Sequence, residues 1–371
     1  MGRKIGVIAV DFFPEIGGME NYAAQLVENF RDRGHDVHLF IKATGEPVPG
    51  VTAHKVLTKD LNHDLPQLIG HDMDVWLGIN SSYSMLARHK PNVYVCAHGN
   101  DFLSPWVTYE LPWLHQRGIW RLRPQIEKTI FRPVRRKHLP KVTGIFPNSE
   151  FTRDRFLKMF PELEPKVHVI NPGVDPSFFQ EHESAPNGTF SLMSVARLTN
   201  PRKNIGSVIK ALAFLKNDYS FEYTVIGDGM MRPALEELVM ESGLQGRVHI
   251  KGRVAFDELK QCYRSADLFV LVPYTTSVDV EGFGMVYLEA NASGTPVLAS
   301  RGNGSSSAVK EGVSGIFVDE PNVENCRRRL RQFFDGEVRF DRAAVVAHAE
   351  PFRWSRIADR FLEHMGVNGK I

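Results

Sequence analysis

The chain has 371 residues, of which 43% are hydrophobic, with 45 Lys and Arg against 43 Asp and Glu; this suits two soluble globular domains, each with its own core. No uncharged apolar run reaches the roughly 18 residues a spanning helix needs, so a membrane-spanning class is excluded and any lipid contact is peripheral. Charge is uneven along the chain: residues 1–171 carry 22 Lys and Arg against 18 Asp and Glu, leaving 23 against 25 for the rest.

Cys96, Cys262 and Cys326 are widely spaced, without zinc or disulfide pairing, which predicts a reducing cytoplasm. MGRKIGVIAV is expected to enter a strand directly and not to serve as a leader. IGVIAV reads as a parallel strand buried on both faces, followed by a loop with Pro14, Gly17 and Gly18 and a helix starting near Met19. Adjacent glycines in place of G-x-G-x-x-G count against an NAD enzyme.

HDVHLFI, VWLGI, VYVCA and TGIFPNS continue as strands between helical or loop stretches, which predicts a doubly wound parallel sheet. Ligands of such sheets gather at the carboxyl ends of strands. That rule selects His98 in AHGND, and Asn148 with Ser149 after GIFP. Ser149 also reads as the N-cap of the following helix. Between these strands, Arg117 to Lys141 carries nine Lys or Arg and one acidic residue, Glu127. Trp113, Trp120, Arg135, Arg136 and Lys137 make this segment a candidate surface for anionic lipid or an anionic acceptor. A solvated basic loop is the alternative. Nucleic acid is set aside because no RNP, zinc or helix-turn-helix signature accompanies it.

VHVI reads as the last strand of the first domain, and NPGVDP with EHESAPNG supplies turn and linker composition. The expected division is residues 1–172, residues 173–350, and a terminal helical stretch of residues 351–371. In the second domain FSLMSVARL is a strand, beyond which Arg197 and Lys203 provide two cations able to neutralise a diphosphate leaving group. FEYTVI, VHIKG, LFVLVP, TPVLAS and SGIFVD are further strands, and FRWSRIADRFLEHM is an amphipathic helix.

After LFVLVP comes a glycine loop, Glu281-Gly282-Phe283-Gly284, which opens a helix at Met285 whose free N–H groups suit a phosphate. Glu281 falls on the loop and Glu289, eight positions on, lies roughly 8 Å along the helix. The two carboxylates bracket something long and hydroxylated with phosphate in its middle, the shape of a nucleotide diphosphate sugar. One Glu is assigned to sugar hydroxyls and the other to ribose.

EGFGMVYLEANASGTPVLAS, with ARL…KN and NPGVD ahead of it, resembles the retaining family 4 glycosyltransferases of GT-B fold. The resemblance covers nearly the whole chain, strongest over residues 192–320 and weakest over residues 45–140. It implies two Rossmann-like α/β domains facing across a cleft, with the terminal helix crossing back to the first. By resemblance, Gly17 and Gly18 face the donor diphosphate and His98 contacts the sugar or the acceptor. Arg197, Lys203 and the Phe283 and Gly284 amides hold the diphosphate, while Gly227, Asp228, Gly229, Arg253 and Val254 lie beside the nucleobase. One departure stands out: Asn303 to Ser307 replace the family's G-G-x-P-E, which puts that loop's role in doubt.

The expected enzyme moves a hexose-type sugar from a UDP- or GDP-sugar to an acceptor hydroxyl, with retention and with neither metal nor cofactor. A lipid-linked or cell-surface glycan precursor is the expected acceptor, as in envelope polysaccharide or lipopolysaccharide synthesis, at the inner face of the membrane. The alternatives are another GT-B activity on a soluble acceptor, an epimerase or synthase, and a non-catalytic membrane-associated subunit.

Overall fold

The computed structural model describes residues 2–13, 17–103, 136–181, 188–277 and 279–367, and the chain divides into two compact units. The first holds Met1–Gly173, Ser277–Gly282 and Trp354–Ile371; the second holds Val174–Thr276 and Phe283–Arg353.

The first unit is built on β1 (Lys4–Ile8), β2 (Asp36–Lys42), β3 (Thr52–Leu57), β4 (Val75–Gly78), β5 (Val93–Ala97) and β6 (Gly144–Pro147), ordered β3-β2-β1-β4-β5-β6. The second unit is built on β7 (Phe190–Val195), β8 (Phe221–Ile226), β9 (Val248–Gly252), β10 (Leu268–Val270), β11 (Val297–Ser300) and β12 (Gly315–Val318), ordered β12-β11-β10-β7-β8-β9. Counted within each sheet these are the same order, and every named pairing is parallel. Parallel strands must be covered on both faces. Accordingly β4, β5, β6, β10, β11 and β12 are buried along their whole length. The order reverses between β1 and β4 and between β7 and β10, so each unit has a switch point where ligands bind beyond the carboxyl ends of the strands.

One strand is not announced by the sequence, and one expected strand is corrected. Edge strand β3 has no continuous apolar run, because TAHKVL places polar residues on a half-exposed edge, so its sequence lacks the signature of a strand buried on both faces. Conversely, Val167 to Ile170 is not a strand. His168 N donates to Ile145 O at 2.9 Å and Ile170 N to Pro147 O at 3.0 Å, but Pro147 has no N–H to return, and the pairing stops at one bridge from Ile145 to Val167.

The helix Trp354–His364 belongs to the first unit. Trp354, Ile357, Ala358, Phe361 and Leu362 form its buried stripe, the spacing of an amphipathic helix. Trp354 packs edge-on against Tyr22 at 5.2 Å, Phe361 against Phe146 at 5.1 Å, and Asp359 pairs with Arg33 at 2.6 Å.

Candidate active site

In the second unit, β7 runs out at Val195 and the chain turns through Ala196, Arg197 and Leu198. Arg197 is exposed and makes no hydrogen bond or ion pair with the other described residues. Its backbone is held by the glycine turn after β8: Leu198 N donates to Asp228 O at 2.9 Å and Met231 N to Leu198 O at 2.8 Å. This approach requires glycine. A Cβ on Gly227 would stand 1.9 Å from Ala196 O, one on Gly229 would stand 2.5 Å from Leu198 O, and their φ values are 137° and 149°. Gly227, Asp228 and Gly229 thus brace the Arg197 loop, whatever else they touch.

Lys203 ends a short 3-10 turn, Pro201–Lys203, capped by the Asn200 side chain on Arg202 N. The next residue, Asn204, has φ of 61°, a conformation Asn tolerates better than most side chains. From there its amide donates to Val272 O at 3.0 Å and Pro321 O at 2.7 Å. One side chain therefore ties the loop after β7 to the loop after β10, and Tyr274 N adds a bond to Arg202 O at 3.1 Å.

The loop after β10 leads to Phe283, buried at 2% exposure, and Gly284 at φ 87°. Helix Met285–Ala292 begins there with no side-chain cap; Tyr287 N donates to Gly284 O at 3.1 Å, and the positive dipole end at Met285 is without a side-chain acceptor. Tyr287 anchors it through a bond to Leu271 O at 2.9 Å. Glu289 is half-buried, its Oε2 accepting from the Tyr263 hydroxyl at 2.8 Å. Burial pushes its carboxyl from 4.5 up to about 7, with Asp175 adding to the rise and Tyr263 opposing it. The folded state thus holds this proton more tightly than the unfolded chain. Its contribution to stability is complete below about pH 4.5 and is lost as pH rises through 7. Glu289→Gln should remove that dependence and be more stable than wild type above pH 7, by at most about 3 kcal/mol. Urea midpoints at pH 5 and pH 8 check this; parallel profiles for the two proteins would mean that Glu289 titrates normally.

In the first unit, His98 follows β5. Its Nε2 bonds Ile79 O at 2.8 Å, Asn148 Nδ2 lies 3.4 Å from Nδ1, and Tyr22 meets the ring edge-on at 4.9 Å. Burial lowers its pKa, against the opposing influence of Asp101. A neutral ring with Nε2–H on the carbonyl leaves Nδ1 as an acceptor. Asp101 accepts from His98 N and from Ser81 N, both at 2.9 Å. Ser149 caps the helix Glu150–Met159 through Thr152 N at 3.0 Å, as expected, and also donates to Gly282 O at 2.5 Å. Gly282 is wedged in place, since a Cβ would stand 2.3 Å from His98 O.

The structure thus brings Arg197 together with Gly227, Asp228 and Gly229, and His98 together with Gly282 and Asn148. Glu281 is half-buried in the first unit and Glu289 lies in the second. Gly17 is half-buried, and Gly18 opens the helix Gly18–Asp32 with no side-chain cap. Arg253 is exposed and Val254 half-buried beyond Gly252, and Met285 is half-buried. Arg136 and Lys137 are exposed; Trp113, Trp120 and Arg135 lie outside the described residues. In the departing loop, Asn303 Oδ1 accepts from Ser305 N at 2.9 Å and Ser305 Oγ donates to Ser300 O at 2.7 Å. Among the described residues, no group of three or more His, Cys, Asp or Glu is placed to hold a metal ion, and no helix is long and apolar enough to cross a membrane. Sequence reasoning passed over Asn100 and Asp101 although they stand in the quoted AHGND, and Asn204 although it stands in the quoted KN pair; Tyr263 carries no motif of its own.

Two parallel sheets of one strand order, each with its own switch point, are the two halves of a GT-B fold. The chain belongs to the family 4 glycosyltransferases: the family Glycosyl transferases group 1 matches residues 177–348, and Glycosyltransferase Family 4 matches residues 16–178. The D-inositol 3-phosphate glycosyltransferase of Rhodococcus opacus (strain B4) is 26% identical over 418 residues, covering 97% of this chain and 90% of the relative. Among solved structures, the apo lipopolysaccharide outer core galactosyltransferase WaaB has a TM-score of 0.75 at 14% identity, covering 98% and 99% of the two chains. Anabaena HepE in complex with UDP and glucose has a TM-score of 0.71 at 19% identity, covering 99% and 100%. These two likenesses concern the fold.

Proposed function

We propose that the protein moves a hexose-type sugar from a UDP- or GDP-sugar to an acceptor hydroxyl with retention, without a metal ion or other cofactor. The observation that carries this reading is the braced Arg197 loop and Lys203 turn at the switch point that also bears the uncapped helix at Met285. The C1–oxygen bond to the diphosphate breaks while the acceptor oxygen bonds C1 on the same face, and the acceptor proton passes to the departing diphosphate. Arg197, Lys203 and the Phe283 and Gly284 amides stabilise the negative charge that grows there. Glu281 accepts from sugar hydroxyls and Glu289 from ribose. HepE, solved with UDP and glucose, supports a nucleotide-sugar donor.

For the acceptor, the basic segment from Arg117 to Lys141 favours an anionic group, with a lipid-linked or cell-surface glycan precursor first. The curated relatives are named for D-inositol 3-phosphate, which supports a phosphorylated acceptor as the soluble arm of the test. The test is calorimetry with UDP and GDP, then transfer from each labelled nucleotide sugar in chelator to a lipid extract or to D-inositol 3-phosphate, with the product anomer read by NMR. One nucleotide should bind, and the linkage should keep the donor's configuration. Binding without transfer to any acceptor would point to the non-catalytic subunit; an inverted product would overturn retention. On the lipid arm, wild type should cosediment with anionic vesicles, and changing Arg135, Arg136 and Lys137 to Ser should cost roughly 3 kcal/mol of that binding. Indifference to anionic vesicles, with full activity in the triple variant, assigns the enzyme to the soluble acceptor.

A further inference from the structure

The segment bearing Glu281 belongs to the first unit, although the chain on either side of it, through Thr276 and from Phe283, belongs to the second. What holds it is specific. Asn100, just past β5, presents both ends of its amide: Nδ2 donates to Asp279 Oδ1 at 2.9 Å, and Oδ1 accepts from Val280 N at 3.1 Å. On the far side of Glu281, Ser149 donates to Gly282 O at 2.5 Å, and Thr152 Oγ1 reaches the same carbonyl at 3.3 Å. The fit is close as well. Gly99, at φ 102°, would place a Cβ 2.8 Å from Val280 Cγ2, and Gly282 rests on His98 O.

The residue before Glu281 and the residue after it are therefore each fixed through a backbone atom, by side chains at the ends of β5 and β6. Glu281 is the single residue between the two clips. Its backbone is held on both sides, and a carboxylate set against sugar hydroxyls loses effect when its geometry slackens.

We propose that Asn100 is a positioning residue for sugar transfer, holding Glu281 through the Asp279-Val280 segment, with Ser149 as the second clip. This rests on the reading of Glu281 as the sugar-contacting carboxylate. It assigns a positioning role in sugar transfer to a side chain just past β5. Asn is suited to the task because it donates and accepts in one plane. Aspartate in its place would lose the donor and face Asp279.

The experiment compares wild type, Glu281→Ala, Asn100→Ala and the Glu281→Ala/Asn100→Ala double variant. It measures kcat and KM for the nucleotide sugar, and Kd for UDP and GDP by calorimetry. Asn100→Ala should lower kcat by up to about 100-fold and leave the nucleoside diphosphate Kd where it was. The double variant should be no slower than Glu281→Ala alone, because both act through one carboxylate. A second pair guards against misfolding: Asn100→Asp should impair transfer, and adding Asp279→Asn should restore it by exchanging donor and acceptor. Multiplying losses in the double variant, a fall in UDP or GDP affinity in step with kcat, or no rescue by the exchange would each overturn the proposal while leaving the assignment of Glu281 intact. Wild-type kcat in Glu281→Ala would overturn that assignment, and the proposal with it.

Discussion

Arg197→Ala and Lys203→Ala should each lower sugar transfer at least about 100-fold, the loss typical of removing one preorganised donor from a developing anion. The effect belongs to the transition state, because charge accumulates on the diphosphate as the sugar leaves. Arg197 is suited to this since its guanidinium is exposed and makes no ion pair with the described residues. Its position is nonetheless fixed from below, by the Leu198 bonds to the glycine turn. Lys203 is held by a capped turn and the Asn204 amide. Arg197→Lys should recover part of the loss, keeping the charge without the planar fork. Stability should change by no more than about 0.5 kcal/mol for Arg197→Ala, as for other exposed side chains. Wild-type kcat in both alanine variants, with folding intact, would remove the diphosphate assignment.

Much of this was legible because parallel strands covered on both faces read as unbroken apolar runs, as in VYVCA and TPVLAS. The edge strand β3 obeys a different rule and escaped, and Val167 to Ile170 looked like a strand until Pro147 beside it proved unable to complete the ladder. Motifs could be placed along the chain from these runs: Arg197 follows β7, the Gly227 turn follows β8, and the Glu281 loop follows β10. The reasons were less visible. Nothing in GDG announces that its glycines are needed against Ala196 and Leu198, and nothing in the sequence links Tyr263 to Glu289 or Asn100 to Val280, 26 and 180 residues apart. Such partners are set by strand order, which brings distant loops to one end of a sheet.

Gly227→Ala should be the most damaging single methyl group in the second unit. Alanine at φ 137° is strained by about 1–3 kcal/mol, and a Cβ 1.9 Å from Ala196 O adds an overpacking cost of about 1–3 kcal/mol. Against a total stability on the order of 5–15 kcal/mol, that loosens the unit seriously. Movement of Ala196 also carries Arg197 with it, so activity should fall about 100-fold in the molecules that stay folded. Gly246→Ala is the matched control: its φ is 81° and a Cβ there meets nothing within 4 Å, leaving a conformational cost of about 1–2 kcal/mol. All five Trp residues, Trp354 included, fall outside residues 174–353, so tryptophan fluorescence reports the first unit and amide exchange in β7 and β8 reports the second. Gly227→Ala should speed exchange in those strands far more than Gly246→Ala, with the fluorescence midpoint little changed. Equal exchange in the two variants would mean that the carbonyl gives way freely, and that the glycine turn does not brace Arg197.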